Sequence, residues 1–135
     1  MAIESNRVIK MKPKERYKDI GLDVKDGSVE CNFSEQLRQG LYRLDRLSLQ
    51  YFGKTILITS GSELSTKHMK TSKHYPYNNK SLKGEAADIR TTTKGHYTID
   101  QVERLQELFY SQRIFADNYD LVIEGDHMHL EYDPK

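Results

Sequence analysis

The sequence contains little cysteine, little proline and no long apolar segment. Cys31 is the only cysteine among 135 residues, so the chain cannot form an intramolecular disulfide and nothing indicates an oxidising compartment. We expect Cys31 to be a buried structural thiol. No window approaches the roughly 20 apolar residues of a transmembrane helix, and the first residues lack the apolar core and cleavage site of a secretory signal. We therefore expect synthesis in the cytoplasm and no membrane span.

An excess of charge of one sign is also lacking. The formal net charge is +1, which argues against a dedicated nucleic-acid binder. A hydrophobic content of 36% and a mean hydropathy of -0.78 fit one domain with a small core and a polar surface. Basic residues are concentrated before residue 20, where they predict a solvated N-terminal arm or, alternatively, a weak contact with an anionic polymer. We assign residues 1–20 to the arm and residues 21–135 to the single domain.

The apolar pattern predicts a short list of helices and strands. In chain order they are an extended segment over 28–33, a helix over 35–52, a strand over 55–59, a strand over 86–91, a helix over 99–112 and a hairpin with strands over 121–123 and 127–132. Ser34 is a natural N-cap, Thr98 and Gln101 have capping-box spacing, and Gly125 marks the hairpin turn. The polar segment over 60–84 is long enough to be functional. The fold class is α+β, with a small, mostly antiparallel sheet and helices packed on one face.

Acidic residues surround two histidines near the C-terminus, in the stretch Glu124-Gly125-Asp126-His127-Met128-His129-Leu130-Glu131. Because alternate residues on a strand point to the same face, we expect His127 and His129 to lie side by side, about 6–7 Å apart. Neutral imidazole is the commonest metal ligand, and a nearby carboxylate can act as a general base. The pattern is typical of a zinc site on a β-strand, but taken alone it favours a half-exposed strand, and a zinc site requires further ligands from the rest of the chain.

Further segments are typical of a known family when they are taken together. They are Thr59-Ser60-Gly61, His68, Ser72-Lys73-His74-Tyr75, Gly84-Glu85-Ala86-Ala87-Asp88-Ile89-Arg90, and the stretch from Glu124 to Glu131. Over about residues 56–134 the chain resembles the zinc DD-/LD-carboxypeptidases, whose pattern is roughly S-x-H-x-x-G-x-A-x-D followed by D/E-x-x-H or H-x-H. That family includes D-Ala-D-Ala dipeptidases and phage L-alanyl-D-glutamate endolysins. The resemblance implies a hedgehog/DD-peptidase-like fold.

The resemblance also implies a zinc ion held by one His and one Asp of the first motif and by one His of the last. Asp88 corresponds to the Asp ligand and His129 to the final His. At the position of the first His an ungapped alignment has Ser81, and serine is a poor zinc ligand. Ser72-Lys73-His74-Tyr75 matches the family's S-x-H-Y form, so His74 becomes the ligand if residues 76–82 form a loop insertion. Such a loop costs little closure entropy.

Roles for the neighbouring side chains follow from the same resemblance. Asp126 is expected to be the general base for the attacking water, and His127 to polarise the scissile carbonyl or stabilise the oxyanion. In a rival register Glu124 is the base and His127 is the ligand. Substrate binding is assigned to Arg90, Ser72 and Tyr75, with Arg90 substituting for the arginine of the family's substrate-binding loop. Three further residues are expected to lie outside the ligand set. Glu131 is expected beside the site or on the surface, and His68 at the edge of the site or exposed. His96 is expected in a polar loop.

These expectations describe a zinc metallopeptidase that hydrolyses a peptide bond in bacterial peptidoglycan, with DD or LD specificity. The small size suits a phage lysin, a virion-associated wall hydrolase or a cytoplasmic dipeptidase. The expected partner is the peptidoglycan peptide, with no nucleic acid, and the protein is expected to be monomeric or virion-associated. The alternative is a catalytically inactive family member retained as a structural or binding module, because Ser81 and the missing arginine depart from the family pattern.

Overall fold

The computed structural model describes residues 15–17, 20–64 and 72–134, and for residues 15–17 it describes the backbone only. His68 and the basic residues up to Lys14 lie outside the described residues, and so do the expectations placed on them. Residues of the predicted arm do form strand β1 (Glu15–Tyr17), which pairs antiparallel with β2 (Leu22–Val24). The sheet therefore begins within the segment that we assigned to the arm.

Two long helices follow the predicted pattern. Helix α1 (Glu35–Phe52) begins at the Ser34 N-cap, and it ends at Gly53, which has a left-handed φ of 71°. Helix α2 (Ile99–Tyr110) begins with the capping box of Thr98 and Gln101. It is shorter than predicted, and a separate short helix, α3 (Arg113–Ala116), follows it. No helix in the described parts of the chain is long and apolar enough to cross a membrane.

The described strands form one six-stranded sheet in the order β1-β2-β3-β4-β6-β5. Its remaining strands are β3 (Leu57–Ser60), β4 (Ala86–Arg90), β5 (Tyr119–Glu124) and β6 (His127–Tyr132). All neighbouring strands are antiparallel except β2 and β3, which are parallel. The expected α+β class with a mostly antiparallel sheet is confirmed. The segment over 28–33 forms no regular strand, and its last residue, Phe33, makes an isolated bridge to Gly84.

The two faces of the central strands have different surroundings. On one face Ala87, Ile89, Met128 and Leu130 are fully buried and belong to the core that also contains the apolar side chains of α1 and α2. Because side chains alternate along a strand, the residues between them project from the opposite face. We call this second face the open face, and it carries Asp88 and His129.

Candidate metal centre

Asp88 and His129 are directly opposite each other in the antiparallel pair of β4 and β6. Both side chains lie on the open face, and Asp88 Oδ1 is 2.9 Å from His129 Nδ1. The hydrogen-bonded strands hold the two backbones in register, so the carboxylate and the imidazole are positioned by the sheet itself.

His74 approaches the same carboxylate from the loop that precedes β4. Its Nε2 lies 3.4 Å from Asp88 Oδ1, and its ring centroid lies 5.2 Å from that of His129. His74 is only 4% exposed, and its Nδ1 lies 2.8 Å from the carbonyl oxygen of Gly61. Since a carbonyl oxygen can only accept, Nδ1 carries a proton and Nε2 is the nitrogen directed at Asp88. A neutral Nε2 and a carboxylate oxygen are both acceptors, so this approach favours a cation between them, either a proton or a metal ion.

His74, Asp88 and His129 form a group that could hold a metal ion, since one ligand atom of each lies within 4.8 Å of the others. The predicted convergence of these three side chains is therefore confirmed. Two imidazole nitrogens and one carboxylate oxygen are the donor types of three-ligand zinc sites, whereas calcium and magnesium prefer oxygen alone. We call this group the candidate metal centre, and its binding of zinc stays a prediction.

A closed loop brings His74 to the sheet. Glu85 N donates to the carbonyl of Lys73 at 2.9 Å, so the chain returns at Glu85 to the place that it left at Lys73. Within the loop, the buried side-chain amide of Asn79 donates to the carbonyls of Lys73 and Lys83 at 2.9 and 2.8 Å. Ser81 is exposed, and its hydroxyl lies 2.9 Å from a carboxylate oxygen of Glu85. Of the two candidates for the first ligand, His74 belongs to the centre and Ser81 does not.

The electrostatics of the centre couple Asp88 to both imidazoles. Burial raises the pKa of Asp88, but hydrogen bonds from His129 and His74 outweigh burial and hold this pKa well below its ordinary value. Hydrogen bonds to Asp88 and Glu131 raise the pKa of His129 to about 10. His129 would hold a metal ion through Nδ1, and the ion would then take the place of the proton shared with Asp88. Glu131 Oε1, 3.0 Å from Nε2 of His129, is then placed to orient the ring.

His127 lies beside the centre and is held by two acids. Its Nε2 is 3.2 Å from Glu124 Oε1 and its Nδ1 is 3.3 Å from Asp126 Oδ1. Its distance to Asp88 Oδ1 is longer, at 3.9 Å. Two groups among the described residues could hold an ion, and the one that contains Asp88 includes His129 and not His127. This geometry favours the register with His129 as ligand.

The predicted substrate-binding residues occupy different places. Arg90 lines a cavity on the open face together with Asp88, Asp126 and His127. The hydroxyl of Ser72 accepts from the backbone N–H of His74 at 3.1 Å, so Ser72 holds the loop. The ring of Tyr75 packs edge-on against that of a neighbouring tyrosine. Their roles in substrate binding stay predictions.

Two supporting residues escaped the sequence analysis. Gly61 supplies the carbonyl that orients His74, and a Cβ at this position would lie 2.1 Å from the carbonyl oxygen of Glu30. The presence of Gly61 in the Thr59-Ser60-Gly61 motif was a signal for such a close approach. Asn79 closes the loop, and an isolated asparagine in a polar segment gives no comparable signal.

Comparison with protein-family models, curated protein sequences and solved structures gave no match for this chain. A functional assignment therefore starts from the candidate metal centre and its surroundings.

Proposed function

We propose that this protein is a zinc-dependent peptidase that hydrolyses a peptide bond in bacterial peptidoglycan. The observation that carries the proposal is the meeting of His74, Asp88 and His129 within 4.8 Å on the open face of the sheet. The choice of peptidoglycan rests on the motif resemblance, which also implies a hedgehog/DD-peptidase-like fold.

The donor set fits zinc, and the nitrogen of each imidazole that faces away from Asp88 has an acceptor. The carbonyl of Gly61 accepts from His74, and the carboxylate of Glu131 accepts from His129. Such acceptors fix the tautomer and the orientation of metal-binding histidines. When bound by three protein ligands, zinc supplies Lewis acidity and lowers the pKa of water toward about 7.

Asp126 and His127 are our candidates for the acid–base and carbonyl-polarising roles beside the centre. Both line the cavity that also contains Asp88, whereas Glu124 is not among the residues lining it. We assign Asp126 as the base that takes the proton of the attacking water and returns it to the leaving amine. His127, which lies between Asp126 and Glu124, is assigned to polarise the scissile carbonyl.

A metal-binding experiment tests the ligand assignment. Protein purified without chelator is expected to contain about one zinc per chain, as in three-ligand sites. His74→Ala is expected to abolish stoichiometric zinc, and Ser81→Ala, the matched control, to retain it. Zinc retained in His74→Ala and lost in Ser81→Ala would overturn the assignment of His74. Loss of zinc in His127→Ala would support the rival register instead.

An activity experiment tests the reaction. Zinc-loaded protein is incubated with purified muropeptides, and newly released amines are measured. We expect release by the wild type, loss in Asp126→Asn with zinc retained, and loss in Glu124→Gln only if the rival register holds. A zinc-loaded wild type that releases no amine contradicts the proposed activity.

A second candidate function is a metal-free structural or binding module. The observation that favours it is the hydrogen bonding within the centre itself, where Asp88 accepts from His129 and His74. Shared protons alone therefore give the carboxylate and the imidazoles hydrogen-bond partners, and no metal ion is needed. Wild-type protein that takes up no zinc during dialysis against excess metal would support this alternative.

A further inference from the structure

A further cavity, of about 290 Å³, has a lining that shares no residue with the candidate metal centre or with the groups assigned to the reaction. We call it the Tyr77 cavity. Small-molecule pockets begin at roughly 300 Å³, so its size suits a ligand of about one sugar ring. The described residues that line it are Glu30, Asn32, Ser62, Leu64, Pro76 and Tyr77.

Ser62 fixes the backbone on one side of the cavity. Its hydroxyl accepts from the backbone N–H of Asn32 at 2.9 Å and donates to the carbonyl of Glu30 at 3.2 Å. The N–H of Ser62 donates to the same carbonyl at 2.7 Å. Ser62 is only 3% exposed, whereas Glu30 and Asn32 are exposed. The two exposed residues therefore stand on a backbone that is already ordered.

Tyr77 presents a large aromatic surface to this cavity, and 63% of the residue is exposed. It lies in a short 3₁₀ turn, Pro76–Asn78, which is closed by a bond from Asn79 N to the carbonyl of Pro76 at 3.1 Å. Its ring contacts that of Tyr75 edge-on, with 5.7 Å between the centroids. Because the turn and this contact restrain the ring, its surface is positioned before any ligand binds.

Within residues 20–64 and 72–134, three polar groups of the Tyr77 cavity make no hydrogen bond or ion pair. They are the carboxylate of Glu30, the amide nitrogen of Asn32 and the hydroxyl of Tyr77. The amide oxygen of Asn32 accepts from the ammonium of Lys83 at 3.3 Å. The Glu30 carboxylate repels an anionic ligand, and the Lys83 ammonium repels a cationic one. The cavity therefore suits a neutral ligand that has an apolar face and hydroxyl groups around it.

We propose that the Tyr77 cavity binds one pyranose ring of a neutral saccharide. The C–H face of the sugar packs against the ring of Tyr77, its hydroxyls donate to the Glu30 carboxylate, and one of its oxygens accepts from Asn32. N-acetylated glycans and unsubstituted polysaccharides share this chemistry. The inference goes beyond the proposed peptidase function, because the cavity and the centre have no residue in common and binding needs no metal.

Titration of the full chain with two methyl glycosides tests the site. Methyl β-D-glucoside and methyl N-acetyl-β-D-glucosaminide are added with and without zinc, and dissociation constants are obtained from NMR shifts. We expect binding that zinc does not change. Tyr77→Ala should weaken it about tenfold and Glu30→Gln about fivefold, since the first removes a packing surface and the second a charge-assisted hydrogen bond.

Matched controls are available elsewhere on the surface. Tyr51→Ala changes a tyrosine on α1 that is 49% exposed, and Glu103→Gln changes an exposed acid on α2. Both variants should bind the glycosides as the wild type does. Urea unfolding verifies that Tyr77→Ala is folded, and Glu30→Gln, which leaves the backbone bonds of Glu30 in place, keeps the test decisive if it is not.

The outcomes separate the sugars, the ligand classes and the two proposals. Tighter binding of the N-acetylated glycoside supports the inference and identifies N-acetylated glycan as the source, and equal binding supports it and identifies polysaccharides in general. Binding of neither glycoside, or binding that Tyr77→Ala and Glu30→Gln leave unchanged, overturns the inference. Tighter binding of a cationic probe, Nα-acetyl-lysine amide, also overturns it. Glycoside binding by a zinc-loaded protein that cleaves no muropeptide contradicts the peptidase function alone, and cleavage without glycoside binding contradicts the saccharide site alone.

Discussion

Gly61 is the position where a single methyl group is expected to disturb both the fold and the candidate metal centre. In Gly61→Ala the added Cβ would lie 2.1 Å from the backbone oxygen of Glu30 and 3.0 Å from the ring of Phe33. The first contact is against backbone, so no side-chain rotation can relieve it. The next residue, Ser62, donates its N–H to the same Glu30 oxygen at 2.7 Å, so the two segments must separate and this bond must lengthen or break.

The size of the effect follows from these two losses. Forcing extra carbon into a packed contact costs typically about 1–3 kcal/mol. Weakening one buried backbone hydrogen bond costs about 0.5–1.5 kcal/mol in addition. We therefore expect Gly61→Ala to lower the free energy of unfolding by about 1.5–4.5 kcal/mol, a large share of the roughly 5–15 kcal/mol available to a small domain.

Urea unfolding measures the change, and Gly27→Ala provides the matched control. No heavy atom lies within 4 Å of a Cβ built at Gly27, whose φ is not in the left-handed region. At such a site alanine is expected to be neutral or to stabilise by about 0.4–1 kcal/mol through the unfolded chain. Because the carbonyl of Gly61 orients His74, Gly61→Ala should also weaken zinc binding, and Gly27→Ala should not. Equal urea midpoints for the two variants would refute the reasoning.

Three further predictions concern the loop, the thiol and the second helix. Asn79→Ala removes donors to the carbonyls of Lys73 and Lys83, and it is expected to destabilise the protein by about 1–3 kcal/mol in urea unfolding and to weaken zinc binding. An unchanged stability would show that the loop closes without this side chain. Burial raises the pKa of the Cys31 thiol to about 12, so a disulfide reagent at pH 8 is expected to label native protein slowly and urea-unfolded protein rapidly. Equal labelling rates would contradict the burial of this thiol. Thr98→Ala removes the N-cap of α2 and should lower the free energy of unfolding by about 1 kcal/mol, which thermal unfolding detects. An unaltered melting temperature would argue against the cap.

Elements with strong local signals could be predicted from the sequence, and short ones could not. Helix α1 combines a cap, apolar residues at helical spacing and a closing glycine, and its predicted bounds are confirmed. Strand β2 has three residues, one of them the buried Asp23, and three residues show no periodicity. Asp23 is accommodated because Thr55 donates its hydroxyl to the carboxylate at 2.6 Å, a contact between distant parts of the chain. Local pattern carries no information about such a partner.

The candidate metal centre shows the same division between local and distant information. Alternation along a strand places His127 and His129 on one face, as the register of β6 confirms. Alternation cannot decide which of the two histidines lies opposite Asp88. If the register of β6 against β4 shifted by two residues, every side chain would remain on the same face of the sheet. The register is set on the other face, where Met128 is opposite Ile89 and both are fully buried. The core therefore selects His129 as the partner of Asp88.

The first ligand depends on where a loop closes rather than on how many residues it contains. An ungapped alignment counts positions back from Asp88 and reaches Ser81, which is exposed. The chain reaches His74 instead, because the hydrogen bond from Glu85 N to the Lys73 carbonyl joins the two ends of the loop. Lengthening a loop costs free energy only as the logarithm of its length, so additional residues between His74 and β4 barely change the energy of closure. The spacing of a motif is therefore a strong geometric constraint when its residues lie on one strand, as Asp88 and Arg90 do. The same spacing is a weak constraint when a loop separates the residues.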